Sequence, residues 1–175
     1  MRMAALAAVF VIGWFATASA QSTYEDPKTP EGWAWAKIRN DEIADFGARC
    51  GKKLDPHDKT GWDDPCRQVA AKFVVDVLTH PQWRDQLARP IVRLRGARID
   101  GPINLADTEI TPEVWIDASR IEGDLILDDS HWKRLLSLQG STIAGRVSGN
   151  RMESESTILL RGNAAIEGDV DLRGA

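Results

Sequence analysis

Cysteine and histidine are scarce in this chain: 175 residues hold two of the first and three of the second. The two cysteines, Cys50 and Cys66, lack C-x-x-C spacing, which excludes a thioredoxin-like redox motif and a paired-cysteine cofactor site. His57, His80 and His131 lie far apart, with no metal-ligand spacing among them. The sequence also lacks a serine elbow, a His-x-x-x-His pair and a glycine-rich phosphate loop. Beyond its first residues it has no apolar run approaching the ~20 residues that span a bilayer. Twenty-two Lys and Arg against 26 Asp and Glu leave a net charge of −4. That mild acidity argues against a phosphate-binding surface and hence against nucleic acid as a partner. Together these absences describe a protein without cofactor or metal and without a catalytic constellation, so the expectation is a non-enzymatic one.

The N-terminus is read as a signal. Arg2 precedes an uncharged, mostly apolar run from Met3 to Phe15, and Ala18-Ser19-Ala20 supplies an Ala-x-Ala end. The run is short for the competing reading, a membrane anchor. No cysteine follows the expected cleavage after Ala20, so a lipid has no attachment point there. Residues 1–20 are therefore expected to be a signal peptide, and the mature chain to be exported to the periplasm or the extracellular space. Loss of Arg2 takes its net charge from −4 to −5.

Residues 21–90 predict a helical cap. Thr29-Pro30 is a helix start, with proline at the first helical position. Trp35, Ile38, Phe46 and Cys50 then share one face at helical period. Asp64-Pro65 marks a second start, followed by the stripe Val69, Phe73, Val77 with Val74 and Leu78. Pro81 ends that helix, and a turn around Trp83 and Leu87 leads onward. In an exported protein Cys50 and Cys66 are most simply a disulfide. The loop between them, GKKLDPHDKTGWDDP, holds Asp55, His57, Asp58, Asp63 and Asp64 but lacks D-x-D-x-D-G spacing, so it reads as a solvated loop rather than a calcium loop.

From residue 91 to 175 an eleven-residue beat takes over. Apolar pairs separated by one residue fall at Val92/Leu94, Ile103/Leu105, Val114/Ile116, Leu125/Leu127, Leu136/Leu138, Ile158/Leu160 and Val170/Leu172, with the Val147/Gly149 slot half lost. Every second unit opens with IDGPINL, IEGDLIL, IAGRVSG or IEGDVDL, whose isoleucines are Ile99, Ile121, Ile143 and Ile166. A fixed period of about 22 residues built from strand-like pieces predicts a mainly β fold, a parallel β-helix of about four coils under the helical cap. Each coil is expected to contribute two inward-facing strands, with an isoleucine at the corner before a recurring glycine. Stacking predicts the ladders Arg95, Asp117, Gln139, Arg161 and Asp124, Arg146, Asp169, and a balance of Asp100 and Glu122 by Arg98 and Arg120. The helical segment, through Phe73, Val77 and its tryptophans, is expected to cover the first coil. The repeats stop mid-stack at Leu172–Ala175. The last strand then offers an open sheet edge, which either pairs with a second copy or another protein, or marks a piece of a longer repeat protein.

The strings LRGARIDGPINL, IEGDLILDDS and LQGSTIAG resemble the degenerate pentapeptide-like repeats of bacterial β-solenoids. Their combination with GWAWAKI…C…DPC resembles a group of secreted α-proteobacterial repeat proteins. The resemblance implies a solenoid and carries over no catalytic residue. The beat of 11 and 22 departs from the strict five-residue pattern, which favours a general β-helix over that family's square cross-section. The expected role is a structural or protein-interaction module of the periplasm or cell envelope. The alternative is a carbohydrate-binding or polysaccharide-active β-helix, with Asp117, Asp128, Asp129 and Arg120 as candidate acids and base, and Trp115 or Trp132 as sugar platforms. DNA mimicry would need a densely acidic face, which the mixed charge ladders do not supply.

Overall fold

The computed structural model describes residues 24–175, so the signal-peptide reading of residues 1–20 lies outside the described residues. It shows a parallel β-solenoid of about four coils, roughly 22 residues each, begun by a small helical cap.

Helix α1 (Pro30–Ile38) starts as its sequence predicts, with the Thr29 hydroxyl accepting the Gly32 amide hydrogen at 3.0 Å. It ends sooner than the apolar stripe suggested. Asp41 turns the chain at φ +63, and its carboxylate takes salt bridges from Arg89 at 2.5 Å and Arg93 at 2.6 Å. The hydrogen bond from Arg89 holds the Asp41 carboxyl below the usual carboxylate range. Phe46 belongs instead to a separate short helix, α2 (Phe46–Arg49), capped by Asp45, with Cys50 directly after it. The second expected helix also divides. Asp64 caps a single 3-10 turn (Pro65–Arg67), Val69 lies in strand β2 (Gln68–Ala70), and only then does α3 (Ala71–Thr79) begin. Helix α4 (Pro81–Arg84) follows and carries Trp83.

The cap thus contributes strands to the solenoid as well as a lid. Strand β1 (Ala44–Asp45) pairs in parallel with β3 (Ile91–Arg95), and β2 pairs with β4 (Arg98–Asp100). The first coil is completed by β5 (Ile103–Asn104) and β6 (Glu109–Ile110). The second runs β7 (Glu113–Asp117), β8 (Arg120–Ile121), β9 (Leu125–Ile126) and β10 (His131–Trp132). The third runs β11 (Leu136–Ser137), β12 (Thr142–Ile143), β13 (Val147–Ser148) and β14 (Glu153–Ser154). The last described strands are β15 (Ile158–Leu159), β16 (Ala165–Ile166) and β17 (Val170–Asp171). They stack into four parallel sheets: β1-β3-β7-β11-β15, β2-β4-β8-β12-β16, β5-β9-β13-β17 and β6-β10-β14.

The coil therefore has four faces rather than two strands. The apolar pairs occupy the first and third faces. The isoleucines Ile99, Ile121 and Ile143, expected at a corner, are the buried inward residues of the second face, and Ile166 continues their row half-buried. Ile110 and Trp132 fill the fourth. Between them these rows make one continuous core, which α3 closes at its start with Phe73, Val74 and Val77. Burying each large apolar side chain is worth ~1.5–3 kcal/mol.

The recurring glycines serve two purposes. Gly101 sits at φ +94, open to glycine at little cost. Gly123, Gly145 and Gly168 do not; they let one coil touch the next. A Cβ on Gly123 would lie 2.4 Å from the Gly101 carbonyl, and one on Gly145 would lie 2.5 Å from the Gly123 carbonyl. Both partners are backbone atoms of a stacked coil and cannot swing away. Gly123→Ala should therefore destabilise the protein by about 1–3 kcal/mol or more, as overpacking does. A urea titration reads this directly, and a midpoint equal to that of the parent protein would refute the close-approach account.

Candidate functional site

The charged and polar residues singled out in the sequence distribute around the coil instead of converging. Asp117 ends β7, at the corner between the first and second faces. Its Oδ1 accepts the Ser137 hydroxyl at 2.8 Å and the Gln139 amide hydrogen at 3.1 Å. Asp128 and Asp129 stand at the corner between the third and fourth faces, diagonally across the coil. Asp128 Oδ1 accepts the Ser148 hydroxyl at 2.6 Å and the Asn150 amide hydrogen at 2.7 Å, which hold its carboxyl below the usual range. Asp129 is paired with Arg151 at 2.5 Å. Asp124 makes the same kind of contact, accepting the Arg146 amide hydrogen at 2.8 Å. Each of Asp117, Asp124 and Asp128 thus binds the backbone 22 residues onward, one coil along the stack. The charge ladders continue this: Arg95 stands opposite Asp117, and Arg161 Nε donates to Gln139 Oε1 at 3.1 Å. The four candidates therefore do not gather at one place: Asp117 stands at one corner and Asp128 and Asp129 at the opposite one, where they line a hollow with Arg151 and Arg173.

Buried serines at the first corner do similar work that the sequence did not announce. Ser119 Oγ accepts the Ala97 amide hydrogen at 3.1 Å, and Ser141 Oγ accepts that of Ser119 at 3.0 Å. Their 22-residue spacing was the available signal, masked by the commonness of serine in loops.

Arg120 has another fate. It is 2% exposed, covered by the loop that Cys50 and Cys66 close. That loop is largely exposed, as expected of a solvated loop, but it rests along the outside of the second face through the buried Pro56 and Trp62. Arg120 Nη1 donates to the Pro56 carbonyl at 2.5 Å, Arg98 pairs with Asp63, and Lys59 reaches Glu167 at 3.4 Å. Trp62 is buried within the loop, its Nε1 donating to the Asp55 carbonyl at 3.1 Å, and Arg67 stacks over its ring at 5.4 Å. Arg67 in turn donates to the carbonyls of Gly96 at 3.0 Å and Lys52 at 2.9 Å, tying the loop to the first corner. Arg98 also balances Asp100 at 2.8 Å and Glu122 at 3.6 Å. Among the described residues no group of three or more His, Cys, Asp or Glu side chains is gathered as a metal site would be.

The two tryptophans part company. Trp132 points inward and is buried, so it offers no platform. Trp115 points outward from β7 and is half-buried, its Nε1 donating to Glu113 Oε1 at 2.6 Å. It lines a groove of about 240 Å³ across the first face, together with Ile43, Arg93, Arg95, Glu113 and Asp117.

The last coil presents the other distinctive surface. An apolar hollow of about 240 Å³ opens there, walled by residues such as Leu138, Val147, Ile158 and Ile166. Leu160, Val170 and Leu172 are 47%, 52% and 46% exposed. On the first face Leu136 and Leu138 donate forward to the Thr157 and Leu159 carbonyls, and on the third Val147 and Gly149 donate to Asp169 and Asp171. By the same register the N–H groups of Ile158, Leu160, Val170 and Leu172 point onward along the stack, beyond the last described strands. Among the described residues none of the helices is long and apolar enough to cross a membrane. Comparison with protein-family models, with curated proteins and with solved structures finds no match to this chain.

Proposed function

We propose that this chain is an exported, non-enzymatic β-solenoid, a structural or protein-interaction module of the periplasm or cell envelope that works through the edge of its last coil. The observation that carries the reading is the coincidence there of outward-directed backbone donors with a hollow of exposed leucine and valine. Unpaired strand edges recruit further strands, and apolar side chains lining an open coil gain by being covered. A second copy stacked end to end, or another protein supplying strands, satisfies both needs at once. The Cys50–Cys66 bridge supports an oxidising compartment. The dispersal of the candidate acids into inter-coil ladders, and the burial of Arg120 under the loop, support a non-enzymatic role.

Light scattering on the purified protein tests the reading. The expected result is a dimer or larger species, or a stable complex with a partner, that is abolished by Leu160→Glu with Val170→Lys. Both side chains are about half exposed but belong to the inward rows of the last coil, so a thermal melt first establishes that the variant is folded. Folded monomer at every concentration and no captured partner, or an assembly indifferent to these charges, would overturn it.

A further inference from the structure

We propose a second binding surface, away from the coil edge: the groove over the first face takes a neutral saccharide, with the Trp115 ring as platform and Asp117 and Arg95 as its hydrogen-bonding groups. The sequence placed Trp115 in an outward slot, and the structure surrounds it with a particular chemistry. Asp117 is only 9% exposed, and its Oδ1 is committed to Ser137 and to the Gln139 amide. Its Oδ2 accepts no hydrogen bond from any described residue and is open to solvent, so it stands available to a ligand hydroxyl on the groove wall. Arg95 lies directly across from it in the strand register, exposed and without an ion-pair partner among the described residues.

A second compartment of about 310 Å³ continues from the groove around the corner, sharing Arg95 and Asp117 and adding Gln139 and Lys53. Together the two fall in the range of about 300–1,000 Å³ typical of small-molecule sites. The charge balance selects the ligand. Arg93 and Arg95 are offset by Glu113 and Asp117 across the first compartment, so the groove has no net attraction for an anion or a cation. What it offers is donors and acceptors interleaved beside an aromatic face. Sugar hydroxyls both donate and accept, and the C–H face of a pyranose is flat and apolar. A neutral pyranose meets Arg95 and Asp117 with its hydroxyls and covers the Trp115 ring with its C–H face. Ile43, 44% exposed at the groove's margin, extends the apolar floor.

Isothermal titration with cellohexaose, maltohexaose and a hexamer of polygalacturonate, at millimolar ligand, tests this directly. At least one neutral hexamer should bind, and Trp115→Ala and Arg95→Ala should each weaken it about tenfold or more, as loss of a central contact does. Thermal melts establish that each variant is folded. Arg95 is exposed and decides the matter alone if Trp115→Ala does not fold. Failure of both neutral hexamers to bind, binding of the polyuronate alone, or neutral binding unchanged in Arg95→Ala would each overturn the proposal. The assembly state of the coil edge is read separately, so the two surfaces stand or fall independently.

Discussion

Trp132→Ala should destabilise the protein by about 3–5 kcal/mol, the usual cost of removing a large aromatic from a packed core. Trp132 is 1% exposed and is the largest inward side chain of the fourth face, between Ile110 and Ser154 in its row. Its Nε1 donates to Ser130 Oγ at 3.0 Å, and that hydroxyl donates to the Leu127 carbonyl at 2.6 Å, so the indole also fixes the corner before β10. A solenoid has little freedom to collapse around a void. Each strand is held at the spacing of ~4.8 Å set by the hydrogen bonds to the coils on either side, and shrinking one coil breaks register with both. At about 2–4 °C per kcal/mol for a domain of this size, the thermal midpoint should fall by about 6–20 °C. Trp132→Phe keeps most of the volume and should lose less than half as much. A Trp132→Ala protein melting within a degree or two of the parent would show that the core is not closed at this position.

Removing the Cys50–Cys66 bridge should cost about 3 kcal/mol, the chain-entropy value for a loop of ~15 residues. The two cysteines are 16 apart in sequence, and the loop they close is the one packed along the second face. Its anchors there are single contacts: Pro56 to Arg120, Asp63 to Arg98 and Lys59 to Glu167. Exposed ion pairs such as Lys59–Glu167 contribute ~0–1 kcal/mol each and do not replace a covalent closure. Release of the loop also uncovers Arg120 and Trp62, which are buried only beneath or within it. Cys50→Ser with Cys66→Ser should therefore lower the thermal midpoint and speed proteolysis between Lys52 and Lys59. The parent protein should show the same cleavage after reduction. Stability independent of reductant would mean that packing alone holds the loop. Because β1 and β2 flank this segment, the loss should be felt first where the cap strands join the first coil.

How much of this was legible follows from what each signal depends on. The apolar pairs of the first and third faces were readable because strand side chains alternate with period two and both members of each pair are apolar. The isoleucine row was visible too, but as a corner; a single inward residue between two outward ones carries no alternation to mark it as a strand. The fourth face was missed because Ile110, Trp132 and Ser154 share a position and no chemistry. In the cap, Val69 and Phe46 fit a helical stripe by spacing, yet pairing with the first coil put Val69 in β2 and, through β1, separated Phe46 from α1 into the short α2. Local pattern yielded to an edge that needed strands.

The sequence by itself determined the 22-residue stack, the apolar rows of its first and third faces and the complementarity of the inter-coil charges, because all of these depend on spacing along one chain, and its two cysteines left one possible disulfide. Only the tertiary structure decided which outward residues remain available. Arg120 and Asp128 look alike in sequence to any exposed ladder charge, but one lies under a loop from 64 residues earlier and the other is bonded to the next coil. Trp115 on the first face and Trp132 on the fourth occupy opposite sides of their strands, which leaves the first half-exposed and sends the second to the core. Accessibility depends on what folds back over a surface, and no local period records that.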